Sequence, residues 1–559
     1  MSRNSYPMDL CRRPKGSSDQ SGMAAVMALL MVGMLTLIGL AALSTSDDEV
    51  QVAGNQFRDT RAFYAAEAGL ETATAAVQTE YELTGFPPTT LPSGSDSINE
   101  SVVSYTTVDN GPAVQKTLTS GNLSGLHALV KEYTITSDAT SDVDRARTVL
   151  VQRFEAAQVP IFQFAVFYDD ELWTSPAEKM TINGRVHANG DICLQSSNGL
   201  YLDSYLSSAG NIYHGYKYGL YPGVNGDVAI KDRVGLYQSM KVGGTWLDAN
   251  DTEWYSKAAT RWGGQVQDKA FGQEKLNVPL TNKGEPHKLI ERATGNPDSY
   301  ENKATLKIIN GQALKFVAGT WVDVTADMTT KGIITATTDK FYDSRDKKYV
   351  DVCDLDVTKL YSNGYGPDNG VLYFSDDIAA SSEWPALRLK NATSLGAGLT
   401  IASENPVYTV GNFNTSDKKP AAILTDALTI LSANWDDAKS TQSKSNRQAV
   451  STTVNASFIT GDTYLGPGKY NGGLANLPRF LEYWGDARTA SICGSMVNLW
   501  QSMQAKGDWS LDYYEPPTRN WIYDIDLDDP AKQPPDAPKI LVFRRGGWMQ
   551  QDVAYTTNE

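Results

Sequence analysis

The chain has 559 residues, 41% hydrophobic and 10% aromatic, enough apolar material for two or three folded units, which excludes a disordered chain. A net charge of -16, with no basic cluster in the body, excludes a nucleic-acid binder, which needs a basic face. Four cysteines (Cys11, Cys193, Cys353 and Cys493) with no CxxC pair are too few for a disulfide-stapled scaffold.

The first element is the apolar run Met23 to Leu43, inside a stretch free of charge from Asp19 to Asp47. As a helix it spans about 30 Å, the thickness of a bilayer core. Arg3, Arg12, Arg13 and Lys15 precede it, and Asp47, Asp48 and Glu49 follow. The positive-inside rule then puts the N-terminus in the cytoplasm and exports the body. A secretory signal has a shorter core before a small-x-small site, so a permanent anchor or the peg of an assembling subunit competes with it.

No proline occurs from Ser44 to Gly85, and Val50, Phe57 and Tyr64 recur at seven-residue spacing with Ala53 and Phe63 nearby. This amphipathic stripe predicts one helix through residues 23–83, roughly 90 Å long, stopped by Gly85-Phe86-Pro87-Pro88. Residues 84–158 open with a Pro/Ser/Gly-rich link. Two strand-like runs follow, "HALVKEYTIT" and "TVLVQRFEAA", a hairpin expected to close on the helix as a small αβ head.

From residue 159 to 559 short apolar pieces alternate with eight Asn-Gly dipeptides, each a hairpin or tight-turn signal. Apolar pairs two residues apart, followed by Gly/Asn corners, favour a β-solenoid, with a β-sandwich as the alternative. Residues 250–360 break this texture and read as an inserted lobe with some helix. The expected fold class is α+β: a long helix with a small head, then a large mainly-β domain.

Catalytic motifs are sparse. His127, His187, His214 and His287 lack metal-ligand spacing, and His187 in "GRVHANGD" reads as a strand-edge residue hydrogen-bonded to backbone. Asp524, Asp526 and Asp528 alternate with Ile525 and Leu527, so on one side of a strand they could ligate calcium. The EF-hand pattern fails there, and a solvated face is the plainer reading, as for Asp351, Asp354 and Asp356. No other metal and no cofactor is expected. Trp246, Trp254 and Trp262 are candidates for stacking on a sugar or a partner.

"SGMAAVMALLMVGMLTLIGLAAL" followed by "VAGNQFRDTRAFYAAEAGLETA" resembles the N-terminus of PilX-type minor pilins, and more broadly type IV pilins and type II secretion pseudopilins. The resemblance covers about a tenth of the chain. It implies cleavage by a prepilin peptidase after Gly22, making Met23 the mature N-terminus. It also implies residence in the bacterial inner membrane, then the periplasm or a surface pilus, with other pilins as partners through the helix and its Val50, Phe57 and Tyr64. Major pilins carry a glutamate five residues into the mature chain; Met27 stands there, a departure that fits a minor, initiating or tip subunit. The expected function is therefore a non-enzymatic pilin-like subunit presenting a large β-rich domain, with adhesion to a surface glycan or host ligand as an added role. A membrane-anchored or secreted β-helix enzyme acting on glycans is the alternative.

Overall fold

The computed structural model describes residues 20–551 apart from 99, 120–122, 142–145, 217–223 and 379–383. Most of the expected leader, with its basic residues and Cys11, lies outside the described residues. One helix, α1 (Gln20–Thr84), runs unbroken for 65 residues. It stops where Gly85 takes a positive φ of 75° and donates its N–H to the Tyr81 carbonyl, with two prolines just beyond.

The C-terminal half of α1 packs on an antiparallel sheet. Its strands are β1 (Ser93–Ile98), β2 (Ser101–Asp109), β3 (Val114–Thr117), β4 (His127–Ser141) and β5 (Arg147–Pro160). Ala65, Ala66, Leu70, Ala73, Val77 and Tyr81, spaced one helical turn apart, are buried against Val103, Tyr133, Ile135, Leu150 and Phe154. Small side chains bring helix and sheet close together. A Cβ on Gly69 would lie within 2.6 Å of Val103 Cγ1, so only glycine fits there. A strand far away in sequence, Lys539–Gln551, closes this sheet by pairing antiparallel with β5. These residues fall in the 159–559 stretch expected as the β-rich body, and nothing local in them names the sheet they join.

The body is a coil of short parallel strands. Val166, Val186 and Leu206 stack in one column, Leu172, Ile192 and Ile212 in a second, Met180 and Leu200 in a third. Side-chain bonds between coils repeat the same step of 20 residues. Parallel ladders are what a winding chain produces, whereas a sandwich of hairpins would be antiparallel. Seven of the Asn-Gly pairs accordingly lie outside hairpin turns. Gly190 and Gly226 take coil corners, where a Cβ would strike the backbone of the coil beneath. Asn310-Gly311 alone, with φ of 49° and 75°, joins a two-residue hairpin.

The first column extends through the whole body: Leu306, Leu372, Ile401, Ile423, Phe458, Met496, Val166, Val186, Leu206 and Val266 are in register, all buried. The chain thus enters the coil in its middle at Val166 and winds outward to Val266. It crosses back to the opposite end and winds inward until Met496 meets Val166 at a seam. The 250–360 stretch, expected as an inserted lobe, is divided among three tasks. Helix α2 (Trp254–Trp262) packs beside the last outward turn, residues 268–305 make the crossing, and antiparallel strands from Leu306 to Asp356 start the second winding.

Candidate assembly surface

Helix α1 is bare for half its length. From Gly22 to Val52 every residue is exposed, and the first buried one is Ala62. A projection of about 40 residues reaches roughly 60 Å beyond the head. Its apolar run carries no charge from Gly22 to Ser46 and is long and apolar enough to cross a membrane. Such a surface is stable only when lipid or other helices cover it.

Gly22 and Met23 lie in the first turns of the helix, with open space around Gly22 and Met23 66% exposed. Val50, Phe57 and Tyr64 stand free at 68%, 68% and 60% exposure. Phe63, beside them, turns toward the head and meets Trp548 edge-on at 5.4 Å. Among the described residues, ion pairs tie the helix to the rest of the chain from Arg61 to Glu100 (2.6 Å), from Glu71 to Arg545 (2.7 Å) and from Glu82 to Lys283 (2.7 Å). All are largely solvated, so each adds at most about 1 kcal/mol while fixing the orientation of the helix.

The acidic run at 524–528 is not a strand. Asp524 caps a 3-10 turn, Ile525–Asp528, because its carboxylate bonds the Asp526 N–H. The Lys418 ammonium sits 2.7 Å from both Asp524 oxygens and 2.8 Å from Asp526, where a cation would have to bind, and Tyr523 donates to Asp528. Among the described residues no group of three or more His, Cys, Asp or Glu side chains could hold a metal ion. Asp354 grips Arg388 through two bonds, Asp351 accepts the Asp339 N–H and Asp356 caps a short helix. His187, expected at a strand edge and bonded to backbone, lies on a strand paired on both sides and bonds the side chains of Ser207 and Asn189; burial pushes it down to about 4, so it stays neutral. Trp254 and Trp262, expected at the surface, are core residues; Trp246 is half-buried and stacks on His214 at 3.4 Å. Cys193, Cys353 and Cys493 form no disulfide with one another.

The seam builds a cleft of about 510 Å³ that the sequence did not reveal, since its walls come from separated segments. Asp169, Asp170 and Glu171 follow the first strand of the coil, Asp462 and Tyr464 follow a later one, and Lys275 and Glu285 come from the crossing. Burial, then the neighbouring Asp170, pushes Asp462 up to about 7. Burial also raises Asp169, against the bond it accepts from Asn189. A larger groove at the base of α1 shares Asp169, Lys275 and Glu285 with this cleft.

Residues 21–71 match the PilX N-terminal family model. Over these residues the projecting helix is similar to that family's N-terminal segment. The match takes in the apolar run, Val50, Phe57 and Tyr64, and stops within the stretch that packs on the head. The chain is also similar to the competence-associated pilin ComZ from Thermus thermophilus, at 13% identity over 88% of this chain and 97% of that one, with a TM-score of 0.29. No curated protein matches the sequence.

Proposed function

We propose that the chain is a minor subunit, at the tip or initiating, of a type IV pilus or type II secretion pseudopilus, and that it carries its β-rich body to the cell surface. The observation behind this is the bare apolar half of the PilX-like helix. A prepilin peptidase cuts between Gly22 and Met23. The helix then rests in the inner membrane, N-terminus toward the cytoplasm, until it exchanges lipid for the helices of neighbouring subunits. Met27 supplies no carboxylate for docking a subunit above, and a body of this bulk obstructs further stacking. Both features favour a low-copy position. Adhesion to a surface glycan or host ligand is the finer role this reading assigns to the body.

N-terminal sequencing and intact mass of membrane-derived protein, with and without an active prepilin peptidase, test the proposal. A mature chain starting at Met23 is expected, and Gly22→Val should leave the protein uncut. A chain uncut under all conditions, or starting near Thr45, would remove it from the pilin pathway.

The seam cleft favours a second reading, an anchored enzyme acting on glycans. A carboxyl pushed up to about 7, in a cleft that also holds Asp170, Glu171 and Glu285, suits acid–base work on a glycosidic bond. Release of sugar products from a polysaccharide panel, abolished in Asp462→Asn, would support that reading; no release from any of them ends it.

A further inference from the structure

Along the second winding, the acidic residue that follows each first-column strand is held inside the chain. Asp376 accepts the Gly311 N–H, Glu404 the Ser375 hydroxyl, and Asp426 the N–H groups of Met503, Gln504 and Ala505. The seam cleft breaks this rule. Five carboxyl side chains and a single lysine line it, and there Asp170, Glu285 and Lys275 make no side-chain hydrogen bond or ion pair among the described residues. A second irregularity lies in the same wall. Trp500 is only 8% exposed, yet its indole N–H has no partner among the described residues. A buried donor left unmet costs stability, and an oxygen brought by a ligand would satisfy it.

We propose that the seam cleft binds a glycan bearing free amino groups, of the glucosamine type, with Asp170 and Glu285 meeting its ammonium groups and Trp500 donating to a sugar oxygen. This deepens the glycan reading of the cleft and rests on it. Charge selects the class of sugar: walls so rich in carboxyl groups repel uronate or sulfated chains and attract cationic ones. A metal ion does not take this charge, because no group of three or more acidic, His or Cys side chains among the described residues is close enough to hold one. Dispersed carboxyl groups match cations that are themselves spaced out, as on a polymer. The cleft also runs on, through Asp169, Lys275 and Glu285, into the groove of about 960 Å³ at the base of α1, which adds Glu274. That continuity suits a chain of several units. Trp500 and Tyr464, the latter 52% exposed, supply the aromatic faces on which sugar rings pack.

The test is calorimetric titration of the full chain, in a neutral detergent without sugar headgroups, with tetramers of glucosamine, N-acetylglucosamine and galacturonate. The glucosamine tetramer is expected to bind roughly tenfold more tightly than the acetylated one at about 0.05 M salt, the gap closing near about 0.5 M, with no binding of galacturonate. The double variant Asp170→Asn, Glu285→Gln should bring the first two tetramers within about twofold of each other. Lys275→Gln should tighten the glucosamine complex by roughly threefold, a gain that loss of folding cannot produce. Preference for the acetylated or the galacturonate tetramer overturns the inference and leaves the glycan reading standing. So does a lysine tetrapeptide held as tightly as the glucosamine tetramer. A glucosamine preference undiminished in the double variant also overturns it, since the sugar then sits elsewhere on an acidic chain. If none of the tetramers binds, the glycan reading of the cleft falls with it.

Discussion

Glu482 is fully buried in the second winding, where its two oxygens accept the Ser432 N–H (2.6 Å) and hydroxyl (2.7 Å). Burial nevertheless wins over these bonds and pushes the carboxyl up to about 7. In the unfolded chain it titrates near 4.3, so the folded state holds the proton more tightly. Its contribution to stability is complete below about pH 4 and is lost as pH rises toward 7, an effect of a few kcal/mol at most (~3). Glu482→Gln is expected to melt below the native protein at pH 5 and to draw level with it or above it at pH 8. Melting curves at both pH values check this, and an equal offset at the two would mean that Glu482 does not titrate in this range. No local motif in "RFLEYW" announced this residue, and only the coil packed around it makes its proton matter.

Among the elements, α1 was legible from residue pattern, because a bilayer-length apolar run and a seven-residue stripe admit few alternatives. The stripe residues Val50, Phe57 and Tyr64 were legible for the same reason. The closing strand Lys539–Gln551 was not, since a strand's partner is set by pairing across the whole chain. The Asn-Gly dipeptides were legible as tight turns but not as hairpin or coil corner one by one, because residues that tolerate positive φ serve either. The column through Ile423 shows what such corners accomplish, holding successive strands in register so that like side chains stack. Ile423→Ala is expected to cost about 3–4 kcal/mol, because neighbours above and below cannot both collapse into the space. Denaturant unfolding should show a lower midpoint with an unchanged slope. A loss under 1 kcal/mol would mean that the column packs loosely there.

At the scale of the whole molecule, the coil runs without a break although the chain enters it in the middle, so its entry and exit lie side by side. Ile161, just past β5, bonds its N–H to the carbonyl of Pro538, just before the closing strand. Ending the chain at Pro538 would uncover Phe154, on which Phe543 stacks at 5.6 Å, and would free Glu71. Limited proteolysis of that variant should attack β5 and the packed half of α1 first, leaving a protected fragment that begins near residue 160. A head as resistant as the native one would show that the closing strand is dispensable. The paired crossings also bear on mechanics. Head and body are joined by two neighbouring backbone strands running in opposite chain directions, so a pull on the helix against a held body loads both along their length and divides the tension between them. A single backbone cut in either crossing leaves the other intact, and the body stays tethered to its helix.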